Sequence, residues 1–313
     1  MRPETCSAPR VSVIIPTYNG AALLPACLDA LRAQTYRDFE VVVVDDHSTD
    51  DTRAVMATYS EARLICLPRN IGFVGAANAG LRAARWRLLA LLNNDTAADP
   101  SWLADLVGAL DRNPWADFAA SKLVLFDEPG RLHSAGDYYG RDGVPGSRGV
   151  WQADVGQYDR EEEVFGACAG AAIYRREMLA AVTGADPGAP LTAVFDPALK
   201  MYCEDVDLNL RARRLGLRCV YVPTARVRHR LSATGGGPLA SYYVGRNMIY
   251  LLAKDLPGSF LRRNAAAIAS AQLGFAAEAL RHIREPSARA RLRGMAVGLL
   301  TWPRFLPGRW GRG

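Results

Sequence analysis

The stretch "FEVVVVDDHSTD", Phe39 to Asp50, decides how the rest of the chain is read. Its four consecutive valines show no apolar–polar alternation, so both faces of the segment must be covered. A strand covered on both faces belongs to a parallel sheet with helices on either side. The run then breaks directly into two carboxylates, a histidine and hydroxyl residues. Ligands of open parallel sheets bind outside the carboxyl ends of the strands. Polar residues at such an end therefore either cap a turn or face a ligand.

Working outward, "VSVII" (Val11 to Ile15), stopped by Pro16, reads as the preceding buried strand. Leu23, Leu24, Cys27, Leu28 and Leu31 recur between them at helical spacing. "ARLICL" is a third strand, "VGAANAGLRAA" a small-residue helix and "RLLALL" a fourth strand. A helix follows from about Ser101, with Asp99-Pro100 as its start signal. Strand alternating with helix over roughly the first 110 residues predicts a doubly wound α/β sheet. Residues 127–160, rich in Gly, Asp and Arg, read as loops and short strands. "GACAGAAIYRREML" predicts a small-residue strand running into a helix, and "EDVDLNLRARRLG" an amphipathic helix stopped by Gly216. "LRCVYVP" and "ARVRH" read as two further short strands, after which "SYYVGRNMIYLLAK" leads into an Ala- and Arg-rich tail.

The four strands of the first half end in "PTYN", "DDHSTD", "RNIGFVGAAN" and "NNDT". Each alone can be turn or cap chemistry, as Asp45, Asp46, His47, Ser48, Thr96 and Asp99 show. Four in register point to a ligand site on one edge. The glycines Gly72, Gly75 and Gly80 do not form GxGxxG, and no GK[ST] loop is present, so neither common phosphate cradle is available. A nucleotide's diphosphate would then need other neutralisation. Asp95, after the apolar "LLALL", suits a divalent cation, since Mg²⁺ and Mn²⁺ take oxygen ligands from one or two carboxylates plus substrate phosphates.

Half of the 313 residues are apolar and 22% are charged, a globular composition with room for a substantial core. The net charge of +6 is uneven. Lys254 to Gly313 holds eleven basic and three acidic residues, a net of +8, leaving −2 for everything before. The basic character belongs to the tail and argues about the tail's partner. Its longest uncharged stretch, Asn264 to Ala277, is 14 residues, too short to span a bilayer. The Trp and Tyr residues show no regular interleaving with basic ones, which argues against nucleic acid. "MRPETCSAPR" has no apolar stretch behind its arginines, so no secretory signal and a cytoplasmic location are expected. The six cysteines (Cys6, Cys27, Cys66, Cys168, Cys203, Cys219) form no CxxC pair, so reduced thiols are expected and a zinc site is not.

With these blocks in place the chain resembles the family 2 inverting glycosyltransferases of the GT-A type. "VSVIIPTYNG", "VVVVDDHSTDDT", "NIGFVGAANAGL" and "LLNNDT" look like the nucleotide-sugar half. "GACAGAAIYRREML", "FDPALKMYCEDVDLNLRARRLG" and "VRH" look like the acceptor half, most closely its rhamnosyltransferase-like branch. The resemblance runs from about Val11 to Lys254; each block is weak and the series is strong.

The resemblance implies that Pro16, Thr17 and Tyr18 line the nucleotide and that Asp45 and Asp46 reach its base and ribose. It places Asn70 and Asn78 where the family contacts the nucleotide and packs the loop. Asn93-Asn94-Asp95 takes the DxD position, with Asn93 replacing the first aspartate and Asp95 as metal ligand. Asp205, beside Glu204, matches the catalytic base, and His229 a metal-binding histidine. Inverting transfer is one in-line displacement at the anomeric carbon, requiring a base on the acceptor side and charge neutralisation on the leaving diphosphate. Glu204 and Asp207 are expected to crowd Asp205 with like charge. Without the other blocks, "EDVD" would be an acidic first helical turn favourable to the helix dipole.

The expected organisation is a GT-A-type doubly wound, mostly parallel α/β sheet over residues 1–240, with a basic helical extension over 241–313. The nucleotide-sugar half covers about 10–125 and the acceptor half about 126–240. The implied partners are a nucleoside diphosphate sugar such as dTDP-rhamnose, Mg²⁺ or Mn²⁺, a lipid-linked or cell-surface glycan acceptor, and an anionic membrane's inner face. The rivals are a catalytically silent sugar-binding relative, a nucleotidyltransferase, and a basic membrane- or nucleic-acid-binding module. A nucleotidyltransferase would carry a lysine- and glycine-rich loop after the first strand, and "PTYNGAALLPA" has no lysine.

Overall fold

The structure, a computed structural model, describes residues 11–186, 189–231 and 236–305. The N-terminal decapeptide read for a signal, with Cys6, and the tail residues Arg309 and Arg312 lie outside the described residues.

The first half alternates as its hydrophobic pattern requires. β1 (Val11–Thr17), α1 (Leu24–Arg32), β2 (Phe39–Asp45), α2 (Thr52–Met56), β3 (Ala62–Cys66), α3 (Gly72–Ala83) and β4 (Leu88–Leu92) follow in turn. Pro16 does not end β1: it lies past the last β1–β4 pair, Ile14 with Leu91, and the strand continues beside β2 to Thr17. The valines of β2 are buried on both sides. Gly80 lets α3 lie close on the sheet, because a Cβ there would stand 2.3 Å from Ile14 Cγ2.

The chain continues through β5 (Thr96–Ala98), α4 (Trp102–Arg112), β6 (Phe118–Leu125), β7 (Leu132–Ser134), β8 (Asp137–Tyr139), β9 (Pro145–Ser147) and β10 (Glu162–Val164). After β11 (Ala171–Arg175), α5 (Arg176–Thr183) and α6 (Glu204–Arg214) comes β12 (Cys219–His229). Gly216, at φ +76°, stops α6 in the left-handed conformation expected of it. The two short strands read at "LRCVYVP" and "ARVRH" are one strand. The register of β12 on β6 shifts between Val222 and Arg226, so the proline between them is absorbed by a bulge.

The sheet order is β10-β12-β6-β11-β4-β1-β2-β3, with β5 on β12 and β7 on β6. All neighbours on this path are parallel except where β10 and β11 enter. The carboxyl ends of β1, β2, β4, β6 and β12 therefore share one edge. Two apolar layers cover the sheet, one beneath α1 and α4 and the other beneath α3, α5 and α6. This mostly parallel sheet between helical layers is the fold expected from the pattern.

Four α-helices, α7 (Gly237–Lys254), α8 (Gly258–Arg263), α9 (Ala265–Arg281) and α10 (Pro286–Thr301), and a short 3-10 helix (Trp302–Phe305) close the described chain. α10 lies against α7 across glycines. A Cβ on Gly294 would stand 2.1 Å from Tyr242 O, and one on Gly245 2.7 Å from Arg291 O. The expected 240/241 division falls inside α7. Among the described residues no helix is long and apolar enough to cross a membrane.

Candidate active site

The strand-end blocks do converge. Register sets Thr17 beside Asp45, and the Asn94 amide donates to Thr17 Oγ1 at 2.8 Å, tying the end of β1 to that of β4. Pro16 and Thr17 are buried in β1, whereas Tyr18 is exposed. Asp45 is buried. One oxygen accepts from the Ser48 N–H at 2.9 Å and the other from Arg53 Nε at 3.0 Å. Burial pushes its carboxyl up, but Ser48 and Arg53 outweigh it and hold the group below its ordinary value. Asp46 pins the loop before α3, accepting the Ile71 and Gly72 N–H groups at 2.8 Å each. Burial raises its pKa against those bonds, and the charge of Asp45 adds to the rise. Asn70 is exposed on that loop. Asn78 turns inward, its amide donating to Phe195 O at 2.8 Å and accepting from Phe195 N at 2.9 Å. It fastens α3 to the segment before α6.

Asp95 and His229 meet although 134 positions separate them in the chain. β5 pairs antiparallel with β12, Thr96 opposite His229, which brings Asp95 Oδ1 to 3.2 Å from His229 Nε2. Both residues are buried, yet Asp95 Oδ1 has no hydrogen-bond partner. Behind His229 stands His133 of β7, the two Nδ1 atoms 2.9 Å apart. Burial, with the charge of His229 against it, drives His133 down to about 3, so its imidazole is neutral. Asn93 is partly exposed, its N–H donating to Gly170 O at 2.9 Å.

A buried carboxylate oxygen without a donor, facing an imidazole nitrogen, fits a divalent cation of the Mn²⁺ or Mg²⁺ kind. Among the described residues no group of three or more His, Cys, Asp or Glu side chains gathers as a metal cage. Two protein ligands, completed by phosphate oxygens and water, are the arrangement such ions take on a nucleotide.

The turn at residues 168–170 links this pair to the acceptor-side carboxylates. A Cβ on Gly170 would lie 3.3 Å from Asn93 Nδ2 and 3.4 Å from His229 Cε1, so the turn touches both. One residue earlier, the Ala169 N–H donates to Asp205 Oδ2 at 3.2 Å, while Val206 N–H donates to Oδ1 at 2.8 Å. Burial raises the Asp205 pKa against these bonds. Glu204 is more deeply set, its Oε2 unpartnered, and burial followed by the charge of Asp205 pushes it up to about 8.

Asp207 does not crowd Asp205 as expected. It points away, bonded to Arg211 at 2.6 Å and to Lys254 of α7. Burial pushes it up, but Arg211 and Lys254 more than offset this, leaving it below its ordinary value. The like charges near Asp205 are Glu204, as expected, and Asp137, which lies in the 127–160 region read as loops and short strands. Asp137 is buried under Ser147 and Ser134, at 2.9 and 3.3 Å, and burial with the charge of Asp205 pushes it up to about 8.

Three further residues belong to the site's support. Asn209 on α6 clamps Ala167 through both amide atoms, at 3.3 and 3.1 Å. Arg246 and Asn247 on α7 grip the loop before Glu204. Only the last two had a signal in sequence: an Arg-Asn pair inside the otherwise apolar "VGRNMIYLLA" has to bury its donors on something.

Residues 12–183 match the family described as "Glycosyl transferase family 2". The O-antigen biosynthesis protein RfbC of Myxococcus xanthus is 32% identical over 237 residues, 72% of this chain and 18% of that one. The Escherichia coli protein named UDP-Glc:alpha-D-GlcNAc-diphosphoundecaprenol beta-1,3-glucosyltransferase WfaP is 37% identical over 87 residues, 27% of this chain and 35% of its own length. This chain thus spans about a fifth to a third of these relatives. In shape it is similar to S. aureus TarS, with a TM-score of 0.57 at 22% identity over 83% of this chain and 42% of that one, a likeness of GT-A-type fold. Through a match that covers more than half its length, on the sheet edge that carries Thr17, Asp46 and Asp95, the chain belongs to glycosyl transferase family 2.

Proposed function

We propose that this chain transfers a sugar, with inversion, from a nucleoside diphosphate sugar to a hydroxyl of a glycan acceptor, and that it does so with Mg²⁺ or Mn²⁺. One observation carries the reading: Asp95 Oδ1, buried and without a donor, faces His229 Nε2 on the strand-end edge that also holds Asp205. Asp95 and His229 would hold the ion, which when bound neutralises the leaving diphosphate. Thr17 and Asn94 form the floor for the nucleotide, Tyr18 and Asn70 are its exposed contacts, and Asp45 and Asp46 fix the loops around it. Asp205 is the base, because it is part-exposed and held in place by two backbone N–H groups. A pKa raised towards the working pH suits a group that must take a proton from an acceptor hydroxyl. Glu204, deeper in the site, tunes Asp205 through its charge rather than replacing it.

The named roles of RfbC and WfaP support a surface polysaccharide built on a lipid diphosphate as the acceptor class. The resemblance to the rhamnosyltransferase-like branch supports dTDP-rhamnose as the first donor to try. The basic C-terminal helices would hold the protein at an anionic membrane, beside such an acceptor. The test is hydrolysis of a panel of UDP-, GDP- and dTDP-sugars by purified protein with Mg²⁺, Mn²⁺ or EDTA, run beside Asp95→Asn. Metal-dependent turnover of one donor, lost in the variant, is expected. Full activity in excess chelator, or in Asp95→Asn, overturns the metal site. Tight nucleotide-sugar binding without turnover towards any acceptor would favour the silent relative.

A further inference from the structure

Between Asp196 and α6 the chain takes a path that its own residues disfavour. Lys200, Tyr202 and Cys203 all adopt left-handed backbone conformations, with φ of 64°, 63° and 64°. None is Gly, Asn or Asp, and each carries a Cβ that resists this region. Cys203 occupies the cap position of α6, where an extended backbone and a side-chain cap are usual; it has neither. Such a path persists only where the surroundings impose it.

The surroundings are two adjacent side chains of α7. Asn247, fully buried, shares the two hydrogens of Nδ2 among Leu199 O at 3.0 Å, Met201 O at 2.9 Å and Tyr202 O at 2.7 Å. Arg246 donates to Ala198 O and Leu199 O at 2.9 Å each, and its Nε donates to Asn247 Oδ1 at 2.9 Å, which fixes the amide's orientation. The carbonyl left out, Lys200 O, faces the other way and accepts the Val74 N–H of α3 at 3.1 Å. The carbonyls on both sides of Lys200 are thus held by α7, and that of Lys200 by the helix that follows the Asp46-pinned loop. The next residues are Glu204 and Asp205. Tyr202 also lies within reach of the charges of Glu204 and Asp95, which places the loop at the proposed site.

We propose that Arg246 and Asn247 are positioning residues for sugar transfer, holding the left-handed 200–203 loop in the one path that presents Asp205 at the strand-end edge. The C-terminal helices join this device, because α10 packs through Gly294 and Gly298 on the turns of α7 that carry Arg246 and Ile249. The inference rests on Asp205 as the base, and its test is arranged to fail separately from that reading.

Cys203 is a native reporter of the loop: it is partly covered, and burial raises its thiol well above the ordinary range. Asn247→Ala and Arg246→Lys are compared with Tyr250→Phe, which loses the Tyr250–Thr301 hydroxyl contact on the same helix. The readouts are melting temperature, alkylation rate of Cys203 by iodoacetamide followed by peptide mass spectrometry, UDP–Mn²⁺ and dTDP–Mn²⁺ binding by calorimetry, and kcat on whichever donor the wild type turns over. Expected in Asn247→Ala are Cys203 alkylation about tenfold faster, nucleotide affinity within about twofold of wild type, and kcat down about 10²-fold, the scale of a small misplacement of a reacting group. Arg246→Lys should show the same pattern more weakly, and it carries the test if Asn247→Ala does not fold. Tyr250→Phe should leave kcat and Cys203 unchanged. Unchanged Cys203 reactivity in both clamp variants overturns the proposal whatever the activity. So does faster alkylation with unaltered kcat. A wild type that hydrolyses no nucleotide sugar fails the functional reading instead, and then the positioning claim falls with it.

Discussion

The Nδ1 atoms of His133 and His229 lie 2.9 Å apart, and that contact sets which way His229 presents its other nitrogen. Only one of the two atoms can carry the shared hydrogen when both rings are neutral. A cation held by Asp95 Oδ1 and His229 Nε2 requires the lone pair of Nε2, which leaves the hydrogen of a neutral His229 on Nδ1. His133 Nδ1 would then accept that hydrogen, while His229 Nε2 faces Asp95 Oδ1 at 3.2 Å. His133→Phe removes the acceptor and keeps an aromatic ring. Mn²⁺ affinity, read by calorimetry or electron paramagnetic resonance in the presence of UDP, should fall about tenfold or more. Affinity equal to wild type would show that His133 does not orient His229.

Asp205→Asn keeps the shape of the proposed base and removes its basicity. Turnover should fall by about 10² or more, the range of general base catalysis, with nucleotide affinity little changed because the acceptor side is affected. A variant that binds nucleotide tenfold more weakly yet turns over normally would move Asp205 from the acceptor side to the donor side.

The first half of the fold was open to reading because its strands are uninterrupted apolar runs ending in polar blocks. β6 was not. "FAASKLVL" holds a serine and a lysine, and Lys122 is acceptable in a central strand only because Asp154 and Asp159 meet it at 2.8 and 2.7 Å. Those partners lie in the region without periodicity, so nothing local announces the pairing. His133 and Asp137 were hidden for the same reason: strand pairing across the sheet, not spacing along the chain, carries them to the site. Asp207 misled differently. Its place in "EDVD" suggests one acidic cluster, whereas on the helix it faces Arg211 one turn on.

Glu204 gives stability a pH dependence of predictable sign. Its pKa rises from 4.5 when unfolded to about 8 when folded, so between these values the folded protein holds a proton that the unfolded chain has released. The stabilising contribution is therefore complete below pH 4.5 and declines as pH rises, until it is lost above about 8. Glu204→Gln has nothing to ionise. Its melting temperature should match wild type at the acid end and exceed it by several degrees at the alkaline end. A gap that stays constant, or closes as pH rises, would show that Glu204 is ionised throughout.

Lys254 joins α7 to α6 by meeting Asp207 and, at 3.0 Å, Asp196. Asp207 is fully shielded from water and Lys254 largely so. Removing the cation leaves a buried carboxylate short of compensation, which costs about 3–5 kcal/mol in such settings. Lys254→Met should lower the denaturant midpoint strongly, and Lys254→Met with Asp207→Asn should recover part of the loss. If the double variant is no more stable than Lys254→Met alone, Arg211 satisfies Asp207 by itself and the α6–α7 ion pair adds nothing.

The outer face of α9 bears on where the protein works. Ala266, Ala269, Leu273, Ala277 and Leu280 are all exposed and recur three or four residues apart, so they form one apolar stripe. Leu273 and Leu280 are 69% and 59% exposed, and Leu299 and Leu300 of α10 are 61% and 80% exposed. Arg262, Arg263, Arg281, Arg284, Arg289 and Arg293 are exposed as well, while Arg291 turns inward over the Phe275 ring at 4.5 Å. A basic surface with bulky apolar side chains suits the interface of an anionic bilayer, each basic residue there contributing about 1 kcal/mol. Purified protein should therefore co-sediment with vesicles containing phosphatidylglycerol and much less with phosphatidylcholine alone. Raising the salt should release it, because charges in water are screened beyond about 10 Å at 0.1 M ionic strength. Leu273→Asp with Leu280→Asp should abolish binding at any salt while leaving the melting temperature unchanged, since neither side chain is packed. Equal partitioning onto neutral and anionic vesicles, or none, would reject the electrostatic anchor. A concentration-dependent increase in size without lipid, lost in the same double variant, would assign the stripe to a second copy of the chain.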